Sequence, residues 1–184
     1  KGFRQSNMAA ATSGTGFDRA GALRRQANEP KQWSKPAFAS ATGGCTVELG
    51  TNAAGEPDVL QPTLLVPGAE TYSIGGDVRP SPWAGRSFRV KVQLHESYPF
   101  KGPETGDIVF VDVPFHPNVM PDGSLCCDGL DWKPVKGLKH IAQFVQEALS
   151  QPSKDHFINA DAGKLLGEDL AAFETKARTG DKRA

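Results

Sequence analysis

The sequence of 184 residues predicts an α+β domain, a mostly antiparallel meander of four strands covered on one side by helices. Three observations predict it. From Ser87 to His95 apolar and polar residues alternate strictly, the period of a half-buried strand. Leu138, Ile141, Ala142, Val145, Ala148 and Leu149 recur at helical spacing, which predicts a buried helix over 138–150. Strand-like stretches come first in the chain and helical ones last, an order that favours antiparallel pairing over alternating β and α units.

The elements follow in order. Residues 1–16, rich in Ser, Thr, Gly and Ala, read as a disordered tail or tag remnant. Residues 17–32 form a short N-terminal helix. Phe17, Ala20, Leu23 and Ala27 lie roughly on one side of it, Arg19, Arg24, Arg25 and Lys31 lie outside, and Pro30 ends or kinks it. Residues 34–44 are a connector. Residues 45–49 are a first strand and 59–66 a second, which Pro62 assigns to a sheet edge or a bulge. Residues 67–82 read as a loop, punctuated by Gly68, Gly75, Gly76, Pro80 and Pro82.

The third strand buries Phe88, Val90, Val92 and Leu94 and ends at Tyr98-Pro99-Phe100. A fourth spans 108–113, apolar on both faces except Asp112. Residues 114–137 carry little regular structure, and long ordered loops in compact domains are more often functional. Pro152 stops the helix at 138–150. Residues 161–166 and 168–178 are two C-terminal helices, the second striped by Leu170, Phe173 and Ala177. The domain is expected to span 17–178, with a tail over 179–184.

Lys+Arg and Asp+Glu both number 21, so the chain carries no net charge, which argues against a general nucleic-acid or membrane-surface binder. No apolar run is long enough to span a bilayer, and no secretory signal is visible. Three cysteines, two of them adjacent, make a poor disulfide framework, so cytosol or nucleus is the expected compartment. No metal site is expected, because His116, Cys126 and Cys127 lack a C-x2-C pair and adjacent cysteines rarely close a tetrahedral site.

The long loop holds the chemistry. In His116-Pro117-Asn118-Val119-Met120-Pro121-Asp122-Gly123-Ser124-Leu125-Cys126-Cys127-Asp128, a Pro-Asp-Gly turn lies between a carboxamide and a cysteine. Proline presets φ and glycine supplies a positive φ, so the chain can fold back and bring Asn118 towards Cys126. A thiol that carries an acyl group needs such a neighbour, because the attacked carbonyl develops an oxyanion. Adjacent side chains point in different directions, so one of Cys126 and Cys127 faces a groove, and Cys126 is the better candidate.

Trp83-Ala84-Gly85-Arg86-Ser87-Phe88, Tyr98-Pro99-Phe100-Lys101-Gly102-Pro103, the His-Pro-Asn triplet ten residues before Cys126, and Trp132-Lys133-Pro134 together resemble the ubiquitin-conjugating enzymes. The likeness is strong over 83–178, weak over 17–82 and absent in the tails. It implies the fold of that family: an N-terminal helix, a four-stranded antiparallel meander, C-terminal helices and a long active-site loop. Departures are Arg86 for a glycine, Gly102 for a proline, Cys127 for a common leucine, and a long 67–82 segment. The gap from Cys126 to Trp132 is also two residues short, so the helical turn after the cysteine is expected to be trimmed.

The resemblance implies roles. Cys126 accepts ubiquitin or a ubiquitin-like modifier from an activating enzyme as a thioester and passes it to a substrate lysine, usually with a ubiquitin ligase. Asn118 serves the oxyanion or holds the neighbouring loop. His116 and Pro117 are structural. Asp155 or His156 orients the lysine amine. Phe100, Pro134 and Val135 form a ligase-binding patch. Arg19, Arg24 and Arg25 lie where the first helix meets the activating enzyme. Asp128 reads as a local backbone cap. No cofactor is implied. Asp131-Trp132-Lys133-Pro134-Val135 also resembles relatives that carry a ubiquitin-like modifier. The alternative is an inactive family variant that acts as a ubiquitin- or ligase-binding scaffold.

Overall fold

The computed structural model describes residues 19–153 and 155–180. The expected tail at 1–16 lies outside the described residues, as do Phe17 and 181–184. Helices α1 (Arg19–Asn28), α2 (Pro30–Trp33) and α3 (Pro36–Ala41) precede the sheet. Strands β1 (Thr46–Thr51), β2 (Pro57–Pro67), β3 (Thr71–Ile74), β4 (Asp77–Pro80), β5 (Ser87–Val92) and β6 (Ile108–Phe110) follow. Helices α4 (Gly137–Ser150), α5 (Ala160–Glu168) and α6 (Leu170–Thr179) complete the chain.

The sheet is an antiparallel meander in the order β1-β2-β5-β6, and β3 and β4 form a separate hairpin. Pleating sends alternate side chains to opposite faces, so Leu64, Val66, Phe88, Val90, Val92, Ile108 and Phe110 turn inward together. Helix α4 covers that face with Leu138, Ile141, Ala142, Val145 and Leu149, all fully buried. Each Leu, Ile or Val among them contributes about 1.5–3 kcal/mol when buried. Phe173 and Ala177 of α6 extend the same core.

The structure refines four readings of the sequence. First, of the edge or bulge that Pro62 assigns to β2, the bulge is found and the edge is not, since β2 lies between β1 and β5. Pro62 is tolerated there because it pairs with Leu49 beside the register shift between Leu49 and Thr51, and the pairing with β5 begins only at Thr63. Second, residues 67–82 contain the β3–β4 hairpin; Gly75 and Gly76, at φ 58° and 96°, supply a two-residue turn of the kind that suits hairpin twist.

Third, the connector at 34–44 contains α3, with Pro36 in its first turn, where a missing N–H costs nothing. Fourth, α1 presents polar groups inward. Ala22 is buried, whereas Leu23 is 55% exposed. Gln26 Nε2 donates to the carbonyls of Glu96 at 2.9 Å and Tyr98 at 3.1 Å. Glu29 accepts from Arg25 Nε at 2.7 Å, from Tyr98 Oη at 2.6 Å and from Leu138 N at 2.8 Å. One carboxylate therefore joins α1, the Tyr-Pro-Phe turn and the first turn of α4. Burial, and then the Glu29 charge, raise the pKa of Tyr98.

Candidate active site

The loop after β6 folds back as its turn residues require. Gly123 N donates to Met120 O at 2.9 Å, and Gly123 has φ 93°. A Cβ there would collide with Phe110 O, so glycine is needed twice over. Asp122 Oδ1 accepts from Ser124 N at 2.9 Å, which closes the turn and lowers the Asp122 pKa. Val119 then bridges Leu125, and Cys126 N donates to Asn118 O at 3.0 Å. The fold-back thus sets the carboxamide residue directly against the cysteine.

Cys126 is half-buried and lines an open groove of about 730 Å³ with Asn118, Asp128, Asp155 and His156. Cys127 turns elsewhere. Its Sγ contacts Leu125 O at 3.5 Å and its N donates to Thr105 Oγ1 at 3.1 Å. Burial first, then the neighbouring Cys126 sulfur, pushes the Cys127 thiol up to about 12. Asp128, read as a local cap, lines the groove instead.

Both ends of the Asn118 amide engage the opposite wall. Nδ2 donates to His156 O at 2.8 Å, and Oδ1 accepts from Ser153 N at 3.2 Å. Pro117 is buried and its carbonyl accepts from Ile158 N at 2.9 Å and Asn159 N at 3.0 Å. Asn159 caps α5 and donates Nδ2 to Val119 O at 3.1 Å. The wall carrying the exposed Asp155 and His156 is therefore laced to the His-Pro-Asn segment. Asn118 Nδ2 carries a second N–H besides the one given to His156 O, since an amide nitrogen has two.

His116 is fully buried against Trp83, with ring centroids 4.9 Å apart, and its Nδ1 accepts from Asn118 N at 3.0 Å. Burial pushes its pKa down to about 3, opposed by the Ala148 backbone, so the ring stays neutral. It is sealed off from the groove and holds the loop from beneath.

The three residues read as a ligase patch sit on two joined loops. Phe100 is 46% and Val135 79% exposed, and Pro134 is exposed beside it. Trp132 Nε1 donates to Pro99 O at 2.9 Å, and the Trp132 and Tyr98 rings lie 5.8 Å apart. This packing accounts for Gly102, where a Cβ would run into the Trp132 ring. Arg86 is accounted for as well: its Nη1 donates to Ala177 O at 3.1 Å near the end of α6, and its guanidinium lies 4.9 Å over Phe88. Of the α1 arginines, Arg25 is committed to Glu29, while Arg19 and Arg24 are exposed.

After Cys126 the chain makes one tight turn, Leu130 N to Cys127 O at 2.9 Å, in place of a helical turn. Phe144, Glu147 and Ala148 of α4 also line the groove. Sequence reasoning missed these residues. Their signal is a second helical stripe, 144-147/148-151, beside the core stripe.

Residues 71–180 match the family described as Ubiquitin-conjugating enzyme. The chain belongs to that family. Family members with curated names include Ubiquitin-conjugating enzyme E2 S of Drosophila melanogaster, 36% identical over 100 residues, which are 53% of this chain and 46% of that protein. Ubiquitin-conjugating enzyme E2 3 of Arabidopsis thaliana is 34% identical over 98 residues, 52% of this chain and 63% of that protein. The chain thus spans about half the length of the Drosophila relative.

Two solved structures share the family fold. The E2 domain of a Toxoplasma gondii ubiquitin conjugating enzyme has a TM-score of 0.60 at 19% identity, covering 78% of this chain and 92% of that one. A candidate ubiquitin conjugating enzyme from Plasmodium yoelii has a TM-score of 0.68 at 22% identity, covering 86% and 91%. Among the described residues, no helix is long and apolar enough to cross a membrane.

Proposed function

We propose that the chain carries ubiquitin or a ubiquitin-like modifier as a thioester on Cys126 and transfers it to a substrate lysine. The observation that supports this reading is the shared groove, in which a half-buried thiol faces Asn118, Asp155 and His156. In loading, the Cys126 thiolate attacks the carbonyl of the modifier's thioester on the activating enzyme; a new C–S bond forms and the activating enzyme's thiolate leaves. In transfer, a lysine Nζ attacks the same carbonyl, the C–S bond breaks, Cys126 leaves as thiolate and the amine proton passes to water. A thiol suits both steps, being a good nucleophile and a good leaving group.

Asn118 donates its remaining N–H to the oxyanion and fixes the wall that carries Asp155 and His156, which orient the amine. Phe100, Pro134 and Val135 dock a ligase, and exposed α1 arginines meet the activating enzyme. The conjugating domain spans 17–178, and the reaction runs in cytosol or nucleus.

The test mixes the chain with activating enzyme, ATP and a panel of ubiquitin and ubiquitin-like modifiers. A reductant-sensitive adduct is expected with at least one modifier, lost in Cys126→Ala and kept in Cys127→Ala. Loss in Cys127→Ala alone moves the nucleophile. Failure of every modifier to load leaves a scaffold that binds ubiquitin or a ligase without catalysis.

A further inference from the structure

The β3–β4 hairpin is the one long departure from the family pattern that the proposed chemistry leaves unused. Its base is anchored. Tyr72 is buried, its Oη donates to Glu174 Oε1 at 2.6 Å, and Arg79 Nε donates to the same oxygen at 2.8 Å. Tyr72 also packs edge-on against Trp83, with centroids 6.0 Å apart. The tip projects freely, because a Cβ at Gly75 or Gly76 would meet nothing within 4 Å. Between the hairpin and the loop after α4 lies a cleft of about 280 Å³. Ser73 and Ile74 form one wall, and Gln151, Ser153 and Asp155 form the other. Those three residues also line the Cys126 groove, so one loop partitions the two cavities.

We propose that this hairpin is a docking wall for the acceptor polypeptide, with the cleft seating a side chain that flanks the attacked lysine. The inference rests on the acyl-carrier reading above. At about 280 Å³ the cleft has room for one side chain. Its shared wall carries Asp155, one of the two residues proposed to orient the amine, so a chain occupying it passes beside the reacting lysine. The hairpin is held at its base by two bonds to Glu174, so it presents a preformed surface, which reduces the ordering cost of docking.

The experiment loads the full chain with the modifier it accepts and follows discharge onto free lysine and onto a library of lysine-centred heptapeptides. Ser73→Phe fills the cleft away from Cys126 and Asn118. Gly75→Asn narrows its mouth from an open position, and asparagine tolerates the positive φ there. The wild type is expected to favour a subset of peptides over free lysine by about tenfold or more. In both variants that preference collapses to within about twofold, while loading and free-lysine discharge stay at the wild-type level. Three results overturn the proposal: no peptide preference in the wild type, preference retained in both folded variants, or a parallel fall in free-lysine discharge, which makes the hairpin a prop for the loop. A wild type that loads no modifier removes the acyl-carrier reading and this inference with it.

Discussion

Asn118 donates its side-chain Nδ2 to the backbone carbonyl of His156 at 2.8 Å, a bond that crosses the groove beside Cys126. Its Oδ1 accepts from Ser153 N at 3.2 Å, so a single amide braces the far wall and lies next to the thiol. Asn118→Ala removes both bonds and, with them, the proposed oxyanion donor. Discharge onto lysine is expected to slow by about 10²–10³-fold, with loading affected far less. Asn118→Asp is expected to fare no better, because it keeps an acceptor for Ser153 N but sets an oxygen against His156 O. Single-turnover discharge, with hydrogen exchange over 153–158, checks both.

The three thiols are expected to react in a fixed order. Burial raises the Cys45 pKa, and burial with the adjacent sulfur pushes Cys127 up to about 12. At pH 8 a thiol of that pKa is about 10⁻⁴ thiolate, and alkylation follows the thiolate. Iodoacetamide labelling followed by peptide mapping is expected to modify Cys126 first and to leave Cys127 and Cys45 protected while the chain is folded.

His116 makes stability depend on pH. Its ring holds a pKa near 3 when folded against 6.5 in the free residue. Between those values the unfolded chain binds the extra proton, so stability is complete above the unfolded pKa and is lost as pH falls towards the folded one. The loss is about 1.4 kcal/mol per unit, or about 2 kcal/mol from pH 6.5 to 5. Urea unfolding over that window is expected to show a slope shallower by about one proton in His116→Gln.

Gly102 is required by Trp132. Gly102→Ala places a methyl against the indole and is expected to cost about 1–3 kcal/mol by overpacking. Gly102→Pro is expected to be worse, because the indole ring occupies the same space. Both loosen the Trp132–Pro99 bond that holds Phe100 and Val135 on neighbouring loops. Thermal melts and a red shift in tryptophan emission report the change.

The sequence disclosed the elements whose pattern is local. Strand β5 alternates, α4 carries an unbroken stripe, and Pro121-Asp122-Gly123 specifies the fold-back that joins Asn118 to Cys126. What stayed hidden depends on partners distant in the chain. Gln26 and Glu29 carried no signal in the sequence, because nothing nearby shows that Tyr98 and Leu138 supply their bonds. Gly102 read as a lost proline until the Trp132 ring lay against it. The β3–β4 hairpin carried its Gly75-Gly76 signal openly, but strands of four residues, the second ending in Pro80, show too little periodicity to register. The groove wall from α4 was invisible because it depends on tertiary packing between the helix and the loop after Cys126.

The Glu29 carboxylate has a consequence for how the molecule comes apart. Helix α1 offers the sheet almost no hydrocarbon, so by greasiness alone it should fray long before the rest. Peeling it away, however, strands the Tyr98 hydroxyl and the first turn of α4 without their shared acceptor. The amino-terminal helix and the first turn of the helix roofing the sheet are therefore expected to open together, with deuterium uptake in α1 keeping pace with uptake at Leu138.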